Sequence, residues 1–244
     1  MPILKPEQLE ELRQFDTPTI SNAIDMFEIR KCTEGFTNYT IKQMIPQDKP
    51  LVGYAMTAKM SAMNPETKHQ HEMKWEYYQK VKETPNPTIS VIQDIDPYPI
   101  GSFWGDVQSS IHMALGCYGV ITNGGIRDLD ELERSNFYCF ASSVLVSEAY
   151  IHIEAYDCPV TVGGLTVNPG DLIHADRHGV CLIPFEIADK VADACRERFF
   201  AEEPVLSFCR GAIVSGTQMD VNELRKQREI MSERLKSSLQ NFKK

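Results

Sequence analysis

The segment that begins at Gly105 has the composition of an anion-binding helix start. Gly105 and Asp106 open a predicted helix over 106–116, which carries apolar residues at helical spacing. The backbone amides of Val107 and Gln108 lie in its first turn, where they have no acceptor within the helix. These two amides can therefore bind an anionic group such as a carboxylate.

A second charged group follows after twenty intervening residues. Arg127 and Asp128 come after a predicted turn over 123–125 and begin a predicted helix over 127–134. In open α/β sheets, ligands bind outside the carboxyl ends of the strands, which is where this turn would lie. A carboxylate near a helix start is stabilised in its charged form, which suits Asp128 as a metal ligand. The structural alternative is that Asp128 caps its helix while Arg127 pairs with a nearby acid.

Alternating strands and helices are predicted to position these residues. The middle of the chain reads strand–helix–strand, which indicates an α/β fold with parallel pairing in part of a sheet. The predicted strands cover 51–59, 88–95, 118–122 and 137–141. The predicted helices before the charged motif are 6–15, a segment from Thr17 to about Phe27 with Thr17 as its N-cap, and a segment from about Glu72.

Short strands punctuated by glycine turns dominate after Pro159. Residues 159–184 hold four such strands, which predicts an antiparallel meander. Helices are predicted to return over about 185–200 and 220–240. Because no repeat or linker interrupts this pattern, we expect a single domain over 1–244, with its core over about 6–200.

The composition restricts the classes of partner and compartment. The net charge of −9 repels phosphate backbones, so nucleic acid is not expected as a partner. No apolar run reaches the length of a membrane span, and charged residues come too early for a secretory signal. We therefore expect a cytoplasmic protein that does not bind membranes. The seven cysteines form no CxxC pair, which argues against a disulfide framework.

The histidines are weaker candidates for chemistry. His112 follows Asp106 by six residues and can face either a cleft or the core. His69 and His71 lie in a polar segment, where solvated side chains are expected. His174 and His178 flank a predicted turn, and stabilising that turn is their expected role.

The charged motif resembles the family of the regulator of ribonuclease activity A and the 4-hydroxy-4-methyl-2-oxoglutarate (4-carboxy-4-hydroxy-2-oxoadipate) aldolases. Members of that family share a motif in which an acidic residue is followed, after twenty residues, by Arg-Asp. A second acidic residue comes three positions after that Asp. The matching residues here are Asp106, Arg127, Asp128 and Glu131. Residues 162–184 (VGGLTVNPGDLIHADRHGVCLIP) are similar to the family's second block, and TPTISNAID is similar to its opening. The resemblance covers most of residues 6–200.

The resemblance implies a fold, an assembly and a reaction. The fold would be α/β: an αββα sandwich with a swivelling β/β/α-like core and a mixed sheet, assembled as a homotrimer or a dimer of trimers. The reaction would be that of a divalent-metal-dependent lyase, which cleaves a 4-hydroxy-2-oxo acid to pyruvate and a carbonyl product and decarboxylates oxaloacetate. Both reactions pass through the pyruvate enolate, whose charge a divalent cation and an arginine stabilise.

The resemblance also implies roles for individual residues. Asp128 would bind Mg²⁺ or Mn²⁺, Arg127 would face the keto oxygen of a small 2-oxo acid, and Asp106 would position a water for proton transfer. The substrate carboxylate would be held at the helix start by Gly105, Val107 and Gln108, and Arg127 would complete the substrate-binding set through the keto oxygen. The residues expected to support this site are Glu131, His112 and Asn123.

Two departures from the family pattern keep other functions open. The family aldolases carry Gly-Asp-Asn near the end of the early strand, which is missing here, and Asp-Gly where this chain has Asn123-Gly124. Both changes alter the pocket around the rest of the substrate. One alternative is a non-catalytic regulatory binding protein, like the ribonuclease regulator. The other is a related lyase or hydratase acting on a sugar-acid derivative, with residues 69–78 shaping its pocket.

Overall fold

A computed structural model describes residues 3–242, in which helices and strands alternate along the chain. The helices are α1 (Pro6–Leu12), α2 (Thr17–Asp25), α3 (Lys68–Glu83), α4 (Asp106–Ala114), α5 (Leu129–Ser135), α6 (Val191–Ser215) and α7 (Val221–Phe242). The strands are β1 (Lys42–Gln43), β2 (Leu51–Ser61), β3 (Thr88–Asp94), β4 (Cys117–Thr122), β5 (Gly125–Ile126), β6 (Tyr138–Ala141), β7 (Ser143–Val144), β8 (His152–Tyr156), β9 (Val160–Val162), β10 (Leu165–Val167), β11 (Leu172–Asp176) and β12 (Gly179–Ile183).

Eight of these strands form one mixed sheet, so the expected α/β class is confirmed. The strand order is β1-β6-β4-β3-β2-β11-β12, and β8 pairs with the second half of β2. Strands β2, β3, β4 and β6 are parallel neighbours, whereas β1, β8, β11 and β12 pair antiparallel. The sheet curves until it is nearly barrel-shaped. Helices α4 and α5 follow β3 and β4, so both begin near the carboxyl edge of the parallel strands.

Side-chain alternation along β2 divides the apolar core into three clusters. Val52 and Tyr54 belong to the cluster that contains α1, α2 and α6. Further along the same face, Met56 packs in the cluster that contains residues of α3 and α5. Leu51 and Ala55, on the opposite face, lie in the cluster that includes the β9–β10 hairpin. Because side chains alternate between the faces of a strand, β2 contributes to all three clusters.

The start of α2 differs from the prediction. Asp16 is the N-cap, and its carboxylate accepts a hydrogen bond from the Thr19 amide at 2.9 Å. Thr17 instead donates its amide to Asp176 at 2.9 Å, and its hydroxyl lies 2.9 Å from His174 Nδ1. This pairing joins α2 to β11, so Thr17 is not available as a cap. It also buries His174 completely, which corrects its expected role at the turn.

The carboxyl-terminal half contains the largest departures in secondary structure. Residues 185–190 form turns, and α6 runs from Val191 to Ser215 rather than over about 185–200. Pro204 and Gly211 disfavour a helix locally, but packing of α6 against α2 and α7 overrides that preference. The predicted meander is two separate hairpins: β9–β10 stands alone, and β11–β12 joins the main sheet. Within residues 3–242, none of the helices is long and apolar enough to cross a membrane.

Candidate active site

Backbone pairing brings the two halves of the charged motif together. Trp104 forms a parallel bridge with Ile126, and the Arg127 amide donates to the Trp104 carbonyl at 2.9 Å. The first turn of α4 therefore lies beside the segment that joins β5 to α5. Twenty residues of sequence separate Asp106 from Arg127, but the fold places them next to each other.

Asp128 takes a position that its sequence context did not predict. Its backbone is left-handed, with φ of 54°, so α5 begins at Leu129 rather than Arg127. Its side chain makes no cap hydrogen bond to α5. Instead, Oδ2 accepts the Asp106 amide at 3.0 Å, at the start of α4. A left-handed conformation is costly for a residue with a Cβ atom, and such strain is often found at functional sites.

Gly105 leaves room for the Asp128 carboxylate. A Cβ atom at Gly105 would lie 2.4 Å from Asp128 Oδ2 and 3.2 Å from Arg127 Cγ. Both distances are shorter than van der Waals contact, and the first would require the carboxylate to move. The absence of a side chain at Gly105 therefore allows Asp128 to approach α4.

Arg127 lies between two carboxylates and is about one-third exposed. Its Nη2 donates to Glu148 Oε2 at 3.2 Å, and its Nε lies 3.8 Å from Asp128 Oδ2. The structural alternative is thus correct in that Arg127 pairs with an acid. The Glu148 side chain is 61% exposed, and ion pairs this close to solvent contribute little stability. Arg127 can therefore exchange Glu148 for an oxygen of a substrate.

Two amides at the start of α4 are left for an anion. The first hydrogen bond within α4 runs from the Ser109 amide to the Gly105 carbonyl at 3.0 Å. The Asp106 amide is occupied by Asp128, so the amides of Val107 and Gln108 are the donors that precede that bond. The Val107 side chain is exposed, which leaves this turn open to solvent.

His112 lies in the core beneath this turn rather than in the cleft. Its Nδ1 donates to the Gln108 carbonyl and its Nε2 accepts the Tyr77 hydroxyl, both at 2.7 Å. Tyr77 can in turn accept a hydrogen bond from Ser90, whose hydroxyl lies 2.8 Å away. Burial lowers the pKa of His112 to about 4, so the imidazole is neutral at physiological pH. His112 therefore connects α4 to α3 and fixes the position of the first turn.

Asn123 and Glu131 each bind a residue other than Arg127 and Asp128. Asn123 Oδ1 accepts the Asp94 amide and its Nδ2 donates to the Asp94 carbonyl, each at 2.8 Å. It thereby joins the carboxyl ends of β3 and β4. Glu131 pairs with Arg134 of the same helix at 2.7 Å, on the surface of α5.

Asp94 is a further acidic residue at this edge, and it was not among the residues predicted for the site. It is 3% exposed, and its Oδ2 has no hydrogen-bond partner among the described residues. Burial raises the pKa of this carboxyl to about 6. An acid at the end of a predicted parallel strand was a usable signal, because ligands collect at that edge. Glu148, by contrast, lies in a loop with no local signal that connects it to Arg127.

The side chains around Asp128 fit a divalent cation that takes few protein ligands. Across residues 3–242, no three His, Cys, Asp or Glu side chains converge closely enough to hold a metal. Asp128 offers one partly exposed carboxylate in the space left by Gly105. Mg²⁺ commonly keeps several waters and takes only one or two protein carboxylates, so this arrangement fits such an ion. It does not fit a metal that needs several protein ligands.

The sequence is similar to a known protein family over most of its length. The model of the RraA-like family, described as Aldolase/RraA, matches residues 17–182. Protein DlpA of Legionella pneumophila is 25% identical over 228 residues, which are 88% of this chain and 33% of that protein. A candidate 4-hydroxy-4-methyl-2-oxoglutarate aldolase of Halalkalibacterium halodurans is 33% identical over 82 residues, which are 33% of this chain and 39% of that protein. The chain therefore spans well under half the length of these two relatives.

A solved structure agrees with the family match in fold. RraAS2 of Streptomyces coelicolor, described as an unusual member of the RNase ES inhibitor RraA protein family, is similar with a TM-score of 0.66 and 19% identity. The match covers 83% of this chain and 97% of that one. At this identity the likeness concerns the fold alone. The family match covers more than half of the sequence, so this chain belongs to the RraA-like (Aldolase/RraA) family.

Proposed function

We propose that this chain is a divalent-metal-dependent lyase that breaks a carbon–carbon bond in a small 2-oxo acid and releases pyruvate. The observation that carries the proposal is the convergence of Arg127 and Asp128 on the first turn of α4, where Asp128 accepts the Asp106 amide at 3.0 Å. The Arg127 guanidinium, the Asp128 carboxylate and the two free amides of α4 therefore lie together at one exposed edge of the sheet. The aldolase name of one relative supports the same reaction class.

The residues have distinct roles in this proposal. The amides of Val107 and Gln108 bind the substrate carboxylate, and Arg127 exchanges Glu148 for the keto oxygen. Asp128 would hold Mg²⁺ or Mn²⁺, which supplies Lewis-acid stabilisation of negative charge on the substrate when bound. Asp106, the neighbouring carboxylate, positions the water that carries protons.

The proposed cleavage balances as a retro-aldol reaction. The 4-hydroxyl gives its proton, through water, to Asp106, and the bond between C3 and C4 breaks. The electron pair moves to C3 and forms the enolate of pyruvate, beside Arg127. A proton returned to C3 gives pyruvate, and C4 leaves as a carbonyl product. With oxaloacetate, loss of CO₂ produces the same enolate.

Replacement of Arg127 by lysine tests this proposal. We expect purified protein with Mg²⁺ to release pyruvate from oxaloacetate faster than Mg²⁺ alone, and a chelator to stop the excess. Arg127→Lys should lower kcat by about 100-fold, because a fixed donor to the developing charge is lost. Arg134→Lys, a matched change on the surface of α5, should stay within about twofold. Pyruvate release equal to that of free Mg²⁺ would contradict the proposal and favour a non-catalytic binding role.

A further inference from the structure

A cavity of about 400 Å³ adjoins the proposed active site. Its lining includes Gln108, in the first turn of α4, and Glu148, the partner of Arg127. The lining also includes Lys74, from α3, and Glu66, from the segment before that helix. A substrate held by the amides of α4 and by Arg127 can therefore extend its remaining atoms into this cavity.

Gln108 and Lys74 supply hydrogen-bond donors to the cavity. Gln108 Oε1 accepts the Tyr78 hydroxyl at 2.8 Å, which leaves the two N–H groups of its amide as donors. Lys74 is half-buried, and its ammonium lies 5.9 Å from the centre of the Trp75 ring. It takes part in none of the ion pairs within residues 3–242. Its three N–H groups are therefore also available.

Acceptors balance these donors. Glu66 binds His71 through Oε1 at 2.8 Å, and Glu148 binds Arg127 through Oε2, so each keeps a second oxygen. The hydrogen bond from His71 is the main cause that lowers the pKa of Glu66. Glu66 is thus an ionised acceptor at neutral pH. The remaining lining includes the rings of Phe103 and Tyr150, which can pack on the carbon atoms of a ligand.

The charge of the lining discriminates between kinds of substrate. Among the lining residues, Glu66 and Glu148 contribute two negative charges and Lys74 contributes one positive charge. Arg127 pairs with Glu148 at 3.2 Å, but in the proposed function it turns to the keto oxygen when substrate binds, which leaves Glu148 uncompensated. A second carboxylate on the substrate would meet a net negative lining, whereas hydroxyl groups can donate to the acids and accept from Lys74 and Gln108. We propose, on the basis of the proposed function, that the substrate is a 4-hydroxy-2-oxo acid whose tail beyond C4 carries hydroxyl groups rather than a second carboxylate.

The proposal is tested by comparing two substrates that differ in the tail. Pyruvate release is measured from 4,5,6-trihydroxy-2-oxohexanoate and from 4-hydroxy-2-oxopentanedioate, with Mg²⁺ present. We expect kcat/KM to be at least about tenfold higher for the trihydroxy acid, the value of one or two well-placed hydrogen bonds. Equal or faster cleavage of the diacid would overturn the proposal. Oxaloacetate has no extended tail, so its decarboxylation with neither longer acid cleaved would overturn this inference and leave the lyase standing. If the protein acts on none of these three compounds, both the proposed lyase function and this inference about its substrate are overturned.

Variants in the cavity separate its contribution from that of the reacting centre. Lys74→Met should lower kcat/KM for the trihydroxy acid by about tenfold and leave oxaloacetate decarboxylation within about twofold. Lys82→Met, on the exposed end of the same helix, is the matched control and should change neither. Glu66→Gln removes one negative charge and should narrow the preference for the trihydroxy acid over the diacid. Two results would contradict the proposal that this cavity recognises hydroxyl groups. One is an equal fall in activity towards the trihydroxy acid and oxaloacetate in Lys74→Met. The other is an unchanged preference for the trihydroxy acid over the diacid in Glu66→Gln.

Discussion

At the scale of single residues, the geometry of the site depends on a glycine with an ordinary backbone. Gly105 has a φ of −157°, which any residue can adopt, so its backbone does not require glycine. What requires glycine is the Asp128 carboxylate, which occupies the space that a Cβ atom would fill. The position thus constrains the side chain that is proposed to hold the cation.

Replacement of Gly105 by alanine should weaken the cation site. Because the new Cβ atom would displace Asp128 Oδ2, we expect the Kd for Mn²⁺ to rise by about tenfold, as measured by titration calorimetry. Gly211→Ala is the control, since nothing lies within 4 Å of a Cβ atom there and the residue is inside α6. The control should bind Mn²⁺ unchanged and gain about 0.5–1 kcal/mol of stability. Unaltered Mn²⁺ binding in Gly105→Ala would show that Asp128 does not hold the ion.

Asp94 should make stability depend on pH in a defined window. Burial raises the pKa of Asp94 in the folded state from its ordinary value of 3.8 to about 6, so the folded state holds the proton more tightly. The stability from this carboxyl is therefore fully present below pH 4 and is lost as pH rises to 6, by about 3 kcal/mol. Asp94→Asn cannot ionise. We expect its free energy of unfolding, relative to the unmodified protein, to improve by about that amount between pH 4 and pH 7 in denaturant titrations. If the difference in unfolding free energy between Asp94→Asn and the unmodified protein does not change with pH, the pKa of Asp94 is not raised.

The limits of prediction at this scale follow from distance along the chain. Asp106, Arg127 and Asp128 were predicted as site residues because their spacing matches a known family motif, and they remain a proposal. The direction of the Asp128 side chain could not be found, because it depends on a left-handed backbone and on Gly105 across the fold. Glu148 was missed because no sequence rule links a loop residue to an arginine 21 positions earlier.

At the scale of elements, α3 and α4 are joined by a buried polar chain. The Tyr77 hydroxyl donates to His112 and lies 2.8 Å from the Ser90 hydroxyl, so three elements meet at one oxygen. Tyr77 and His112 are both fully buried. In such a chain, each group needs its partner, because a buried polar atom without one is costly.

Removal of the Tyr77 hydroxyl should therefore cost more than its size suggests. Tyr77→Phe leaves His112 Nε2 without a donor, and we expect a loss of about 1–3 kcal/mol in the free energy of unfolding. Tyr156→Phe removes an exposed hydroxyl that bonds to Glu76 and should cost less than about 0.5 kcal/mol. Urea titration of both variants measures the difference. Equal losses would mean that the polar chain does not hold α4 in place.

Elements whose local pattern agrees with their packing were predicted well. Strands β2 and β3 were expected within two residues of their ends, because their apolar runs match full burial. Strand β8 was missed because its sequence, HIEAY, gains its strand partner only from the second half of β2. The length of α6 was underestimated because its second half depends on packing against α7 rather than on helix propensity.

At the scale of the whole molecule, one long strand joins every part of the core. β2 contributes to all three apolar clusters, and the proposed site lies at the carboxyl edge of the strands parallel to it. We propose that residues 3–242 behave as one domain, which a single transition in thermal unfolding would support and two separate transitions would contradict.

We also propose that the protein assembles as a homotrimer or as a dimer of trimers. Light scattering should then give a multiple of three times 27.7 kDa, and a monomer would exclude it.

If Asp128 holds the ion that makes this molecule a metal-dependent lyase, Asp128→Asn should abolish its activity. Pyruvate release from oxaloacetate is measured over a range of Mg²⁺ concentrations for the unmodified protein, for Asp128→Asn and for Asp130→Asn. Asp130 is an exposed acid in the first turn of α5, so its variant matches the change in charge. We expect saturable dependence on Mg²⁺ in the unmodified protein and in Asp130→Asn, and a loss of about 100-fold or more in Asp128→Asn. Equal rates in all three proteins would mean that Asp128 does not hold the ion and that the proposed lyase site is wrong.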